Sequence, residues 1–213
     1  ASSEDLKKIP GYPIAYWVSD RFRDLFKLEK KLGDVASSRA GLQTSNNKRF
    51  VRFWYEVSYM KTGLKFSSIE ESKESNYKWF PYNKGGDFRK WYGNQFYLIN
   101  FENGGKELQE YLFSVNQSLH SVEYQFKESV TYSFVSSSKF SCRNNGKGFL
   151  FDIGGSSMFP KKKEISAVIT YLNSKLTYIG LKSINPTMNF QVGNLKQLPY
   201  KPITDPATKQ TVE

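Results

Sequence analysis

The chain has 213 residues, with 31 Lys and Arg against 20 Asp and Glu, a formal charge of +11 and 16% aromatic residues. That length holds one domain with a real core, or two small lobes. The single cysteine, Cys142, rules out an internal disulfide and points to a reducing compartment. With one histidine, His120, in a polar run, neither a Cys/His zinc cluster nor a Cys/His catalytic pair is expected. No apolar run approaches the ~20 residues that span a bilayer, and no signal peptide is visible. The expectation is a cytoplasmic protein without a membrane partner. A strongly basic chain favours polyanionic partners. The aromatic excess suits nucleic acid, although most of these rings are expected in half-buried strands.

Taken in order, Ser2–Lys8 reads as a short helix, and Pro10-Gly-Tyr-Pro13 as a turn. Ser19 is positioned to cap a helix over Asp20–Leu28, with Phe22, Leu25 and Phe26 on one face. Val35–Leu42 reads as a strand with Arg39 outward. Gln43–Lys48 is a polar loop, and Phe50–Val57 alternates as a strand. Ser67–Ser75 fits a short acidic helix capped by Ser67 or Ser68. Gly93-Asn94 reads as a hairpin turn into a strand over Gln95–Phe101. Asn103-Gly-Gly105 is a turn before a helix at Lys106–Phe113, and Val115–Val122 is loop. Tyr124–Phe126 and Val130–Phe134 read as strands, Ser136–Gly148 as a basic loop, and Phe149–Ile153 as a short strand broken by Gly154-Gly155. Glu164–Ile179 is the clearest helix, with Ile165, Val168, Ile169, Leu172 and Leu176 at helical spacing. The chain starts without Met and closes on Asp205-Pro206, a helix start that stops after two turns. This reads as a domain excised from a longer protein.

Three stretches are candidates for contacting a polyanion. Lys78–Asn94 interleaves Lys78, Lys84, Arg89 and Lys90 with Trp79, Phe80, Tyr82, Phe88, Trp91 and Tyr92 against one acid, Asp87. Cations neutralise phosphates and aromatic faces stack on bases. The same pattern also describes a Trp-rich core strand running into a solvated turn, and composition leaves both open. Gln43, Thr44, Asn46, Asn47 and Arg49 form the second stretch. Amides at a loop tip can read adenine edges, and they equally shape turns. Ser137, Ser138, Lys139, Arg143 and Lys147 form the third.

No catalytic constellation stands out. Asp152-Ile-Gly-Gly-Ser-Ser157 follows a strand, but it lacks the G-x-G-x-x-G spacing of a dinucleotide turn, and Pro160 precedes any helix. Asn185-Pro-Thr-Met188 lacks the second proline and the aromatic of an amino-methyltransferase loop. No G-x-S-x-G or phosphate-binding G-x-x-x-x-G-K-[ST] occurs.

Several blocks together resemble the large adenine-specific DNA methyltransferases of BREX phage-defence systems. They are Pro13-Ile-Ala-Tyr-Trp-Val-Ser-Asp20, Gly41-Leu-Gln-Thr44 with Asn46-Asn47 and Arg49-Phe50, Lys78-Trp-Phe-Pro-Tyr-Asn-Lys-Gly-Gly86 and Phe88-Arg-Lys-Trp-Tyr-Gly93. Ser137-Ser-Lys-Phe140, Gly148-Phe149, Asn185-Pro-Thr187 and Asn189-Phe-Gln-Val-Gly193 continue the match. Lys31-Leu-Gly-Asp-Val35 and Gly193-Asn-Leu-Lys-Gln-Leu-Pro199 are similar to TaqI-like and type I specificity-subunit target recognition domains. The resemblance implies an α+β target recognition domain, a twisted, mostly antiparallel sheet with packed helices, over residues 31–200. Residues 1–30 would be a helical lead-in, and 201–213 would start the linker to the next region. It further implies a parent enzyme that uses S-adenosylmethionine to methylate adenine N6, with this region choosing the duplex DNA sequence and performing no catalysis. The family's cofactor and catalytic residues fall outside 1–213, so no cofactor is expected in this chain. Expected partners are duplex DNA, the remainder of the methyltransferase and other defence-complex proteins. The rival classes are a module for single-stranded nucleic acid and a protein-docking domain.

Overall fold

A computed structural model describes residues 7–202. The expected helix over Ser2–Lys8 and the one begun at Asp205-Pro206 lie largely or wholly outside the described residues. The fold is α+β, as expected, but with two four-stranded sheets rather than one. The first holds β1 (Ala36–Arg39), β8 (Ser157–Pro160), β5 (Ser129–Tyr132) and β6 (Cys142–Asn145) in that spatial order, all antiparallel. The second runs β2 (Val51–Phe53), β4 (Tyr97–Asn100), β3 (Trp79–Asn83) and β7 (Leu150–Phe151). Its β3–β7 pair is parallel and the others antiparallel.

Each sheet buries one core. The first packs Val130, Tyr132, Cys142 and Met158 against Ile165, Val168, Ile169 and Leu172 of α5 (Ile165–Leu172). Leu181 of α6 (Lys175–Ile184) and Leu195 of α7 (Val192–Lys196) complete it. The second packs Phe80, Tyr82 and Ile99 against Phe101, Phe126, Leu150 and the face Leu108–Leu112 of α4 (Glu102–Ser114). The first turn of α4 is irregular. Asn103, Gly104 and Gly105 all hold positive φ, so the regular helix begins near Lys106, as the turn signal indicated. A small third cluster, Ile9, Ala15, Val18 and Phe26, seats α1 (Asp20–Leu25), whose N-cap is Ser19. The acidic helix α3 (Ile69–Lys73) is capped by Ser68.

Several local expectations are corrected. The Glu164–Ile179 helix is two helices, because Asn173 caps α5 and Ser174 starts α6 through a bond from Thr177 N. Leu176, expected on the buried stripe, is therefore exposed. The strand expected over Phe50–Val57 shrinks to three residues. Phe50 ends a short helix, α2 (Asn47–Phe50), and Trp54–Glu56 forms a 3₁₀ turn with Glu56 accepting from Phe53 N. Tyr124 ends another such turn rather than starting a strand. Polar composition hid β6 inside the expected basic loop and β8 after the Gly154-Gly155 break. Gly93-Asn94 is not a tight hairpin turn but the end of an excursion between β3 and β4. At its far side Trp91 pairs with the edge strand of the first sheet, Trp91 N to Cys142 O and Asn144 N to Trp91 O, both 2.9 Å.

Candidate nucleic-acid interface

The first polar stretch is held by its own helix. Asn46 caps α2 by accepting from Arg49 N at 3.2 Å, and Phe50 anchors the other end in the second core. This fixes Asn47 at the surface and turns Thr44 inward. The second stretch approaches from β3. Tyr82 is buried, and Lys84 leaves the strand end half-buried beside it. The third wall comes from β7, whose next residue is Asp152.

These three elements close one open cleft of about 440 Å³, lined by Gln43, Thr44, Asn47, Lys84, Asp152 and Gly154 among others. Lys84 Nζ lies 2.7 Å from Asp152 Oδ2 and 3.3 Å from Asn47 Oδ1. Thr44 Oγ1 donates to the same Asn47 oxygen at 2.7 Å. The Tyr82 hydroxyl donates to Asp152 Oδ2 at 2.6 Å and lies 3.2 Å from Leu42 O. Gly154 N donates to Asp152 Oδ1 at 2.6 Å. Burial, and then the charge of Asp152, raise the Tyr82 phenol well above its ordinary range, so it stays a donor. The Gln43–Arg49 and Lys78–Asn94 stretches meet there through Lys84, Asn47 and Thr44.

Asp152 and Gly154 were not among the expected site residues, and Tyr82 was named only as one of the aromatics of its stretch. The rejected Asp152-Ile-Gly-Gly turn forms the cleft wall through backbone packing. A Cβ on Gly155 would sit 2.4 Å from Asn83 O, and one on Gly85, whose φ is +75°, would sit 2.3 Å from Gly154 O. Gly85, Gly154 and Gly155 let these backbones touch.

The other candidate residues are spread more widely. Arg89 and Lys90 sit on the excursion, away from the cleft. Arg89 lies over Phe96, and Lys90 Nζ donates to Asn173 O at 2.7 Å. Arg49 pairs with Glu107 at 2.8 Å and Lys78 with Glu102 at 3.3 Å, so each already faces a carboxylate. Ser137, Ser138, Lys139 and Lys147 are exposed on loops flanking β6. Arg143 is corrected outright as a surface contact. It is fully buried, because the Trp91 excursion lies across β6 and caps it. Its Nη1 and Nη2 donate to Arg89 O and Ser133 Oγ at 3.3 and 3.4 Å. Burial, with a further push from Arg89, brings the guanidinium down to about 10. Thr44, 1% exposed, supports Asn47 rather than facing a ligand.

A second cleft, on the outer face of the second sheet, is apolar. Trp54, Tyr55, Tyr59, Leu64, Pro81 and Tyr97 line it. Trp54 is 59% exposed and Tyr59 76%. Among the described residues no group of three or more His, Cys, Asp or Glu could hold a metal ion, and no helix is long and apolar enough to cross a membrane.

No protein-family model matches the chain. Two curated proteins do. Adenine-specific methyltransferase PglX of Lacticaseibacillus casei (strain Zhang) is 37% identical over 215 residues, 98% of this chain and 18% of that protein. Adenine-specific methyltransferase BrxX of Escherichia coli O9:H4 (strain HS) is 39% identical over 199 residues, 92% of this chain and 15% of its own. Nearly the whole chain thus corresponds to one segment of these longer methyltransferases, and it spans less than a fifth of either.

Proposed function

We propose that this chain is the duplex-DNA recognition segment of an S-adenosylmethionine-dependent adenine-N6 methyltransferase of a BREX-type defence system. In this reading it selects sequence in the cytoplasm and performs no catalysis, while the cofactor is held elsewhere in the enzyme. The observation that carries it is the cleft in which Asn47 and Thr44, at the start of α2 and just before it, converge with Lys84 at the end of β3, in a segment shared with two adenine-specific methyltransferases. Exposed cations such as Lys139 and Lys147 would grip phosphates, which positions a protein without reading sequence.

The test is binding of the 213-residue chain to a duplex and to its separate strands across a salt series. Duplex binding is expected at roughly micromolar or weaker, falling steeply with salt, because phosphate contacts dominate a lone module. Binding that does not respond to salt refutes phosphate contact, and tighter binding to single strands favours the single-strand class. A protein-docking reading is favoured by the apolar cleft at Trp54 and Tyr59, since exposed aromatic patches mark contact surfaces. Its partner would be the remaining methyltransferase chain or another defence protein, and it predicts no DNA binding at all.

A further inference from the structure

We propose, resting on the DNA-binding reading above, that the Asn47–Lys84 cleft is a base-edge subsite for guanine, and that Lys84 is a specificity residue rather than a phosphate contact.

Charge is the first argument. Lys84 and Asp152 are 2.7 Å apart, with side chains 19% and 14% exposed, so the cation is neutralised within the protein. A phosphate brought here would meet the carboxylate as well as the ammonium. Counterion release on DNA requires a cation that neutralises a phosphate, and this one is already compensated. A charge-balanced, polar cleft suits a base edge better.

Hydrogen-bond accounting then selects the base. An ammonium only donates, so the side of Asn47 turned to Lys84 is its oxygen. That oxygen also accepts from Thr44 Oγ1, so both its lone pairs are used. Reading adenine would need it to accept from the adenine amine while the side-chain amide donates to N7. It has no capacity left for that. Among the described residues nothing accepts from Asn47 Nδ2, and Lys84 keeps an N–H beyond its bonds to Asp152 and Asn47. Two neighbouring donors match the N7 and O6 acceptors of guanine. Asp152 already accepts from Lys84, Tyr82 and Gly154, three of its roughly four lone-pair sites, so it serves chiefly as a positioning group.

The chain is used to select duplexes from a randomised pool, and binding to the selected sequence is then measured across salt. The wild-type pool should be enriched for guanine at one position. Replacing that base by 7-deazaguanine, which lacks N7, should weaken wild-type binding roughly tenfold or more. Lys84→Met should lose the guanine preference and the 7-deazaguanine effect together, with the salt slope unchanged. Asn47→Asp keeps the acceptor for Lys84 and Thr44 but removes the donor, and should lose the same preference if Lys84→Met is too unstable to assay. Lys147→Ala serves as the contrast, lowering the slope by about 0.9 while keeping the preference. A Lys84→Met slope that falls like that of Lys147→Ala overturns the proposal, as does a pool enriched for adenine at the Lys84-dependent position. Salt-dependent binding with no base preference overturns it too, while leaving the DNA-binding reading intact. Absence of duplex binding removes both.

Discussion

At Gly85 the backbone has no room for a methyl group. Its φ of +75° is a conformation that L side chains rarely adopt, and the added carbon would press into Gly154 O. Gly85→Ala is expected to cost at least ~2 kcal/mol, from left-handed strain and the clash together. A chemical-denaturation midpoint matching wild type would show that the contact between Gly85 and Gly154 does not hold the cleft. Single residues also show where sequence reasoning reached and where it stopped. Lys84 and Asn47 were legible, because cations and amides beside strand ends are chemically conspicuous. Asp152 was not, since its partner lies nearly seventy positions away and only the β3–β7 pairing brings the two together. Arg143 was misread because a basic residue in a polar run carries no mark of burial. Its cover comes from the Trp91 excursion, which belongs to the other sheet.

At the scale of elements, apolar spacing located the helical face Ile165–Leu172, and it missed the break that follows. The stripe continues through Leu176 on paper, yet Ser174 accepts from Thr177 N and starts a new helix on a different line. The two leucines therefore separate cleanly in a test. Leu172 is 1% exposed in the first core, and Leu172→Asp should cost several kcal/mol by burying an unpaired charge. Leu176 is 52% exposed, and Leu176→Asp should stay within about 0.5 kcal/mol. Equal losses in thermal melts of the two variants would mean one continuous helix. Two strands escaped the reading altogether. β6 is Cys-Arg-Asn-Asn and β8 begins Ser-Met, and neither carries the β-branched alternation that marks a strand. They are strands because their neighbours in the sheet supply the hydrogen bonds.

The whole molecule should weaken in alkali. Tyr82 and Tyr132 are pushed upward chiefly by burial, and Tyr171 rises to about 12. A tyrosine raised in the folded state keeps its proton where the unfolded chain has lost it. Its stabilising contribution is complete below about pH 10 and disappears as pH climbs toward the folded value, at up to ~1.4 kcal/mol per pH unit for each ring. Arg143, lowered to about 10, works in the opposite sense, as do Lys31 and Tyr124, both lowered, while Tyr200 and the Cys142 thiol, both raised chiefly by burial, add to the loss. Denaturant midpoints should fall steadily between about pH 9 and 11. A flat or rising series would mean that these rings are not buried as described.

The pairing of β1 with β8 has to wait on biosynthesis. Ala36 lies opposite Pro160, and among the described residues no strand nearer in sequence pairs with β1. A ribosome adding roughly 5–20 residues per second needs on the order of ten seconds to supply the partner. Until then β1 leaves the ribosome with its ladder unfilled, and the first core waits with it. Contacts this distant along the chain also slow refolding, because the loop must close before the pairing repays it. The nascent protein is exposed to wrong pairings for longest at its first strand, whose Arg39 places a charge on the waiting edge.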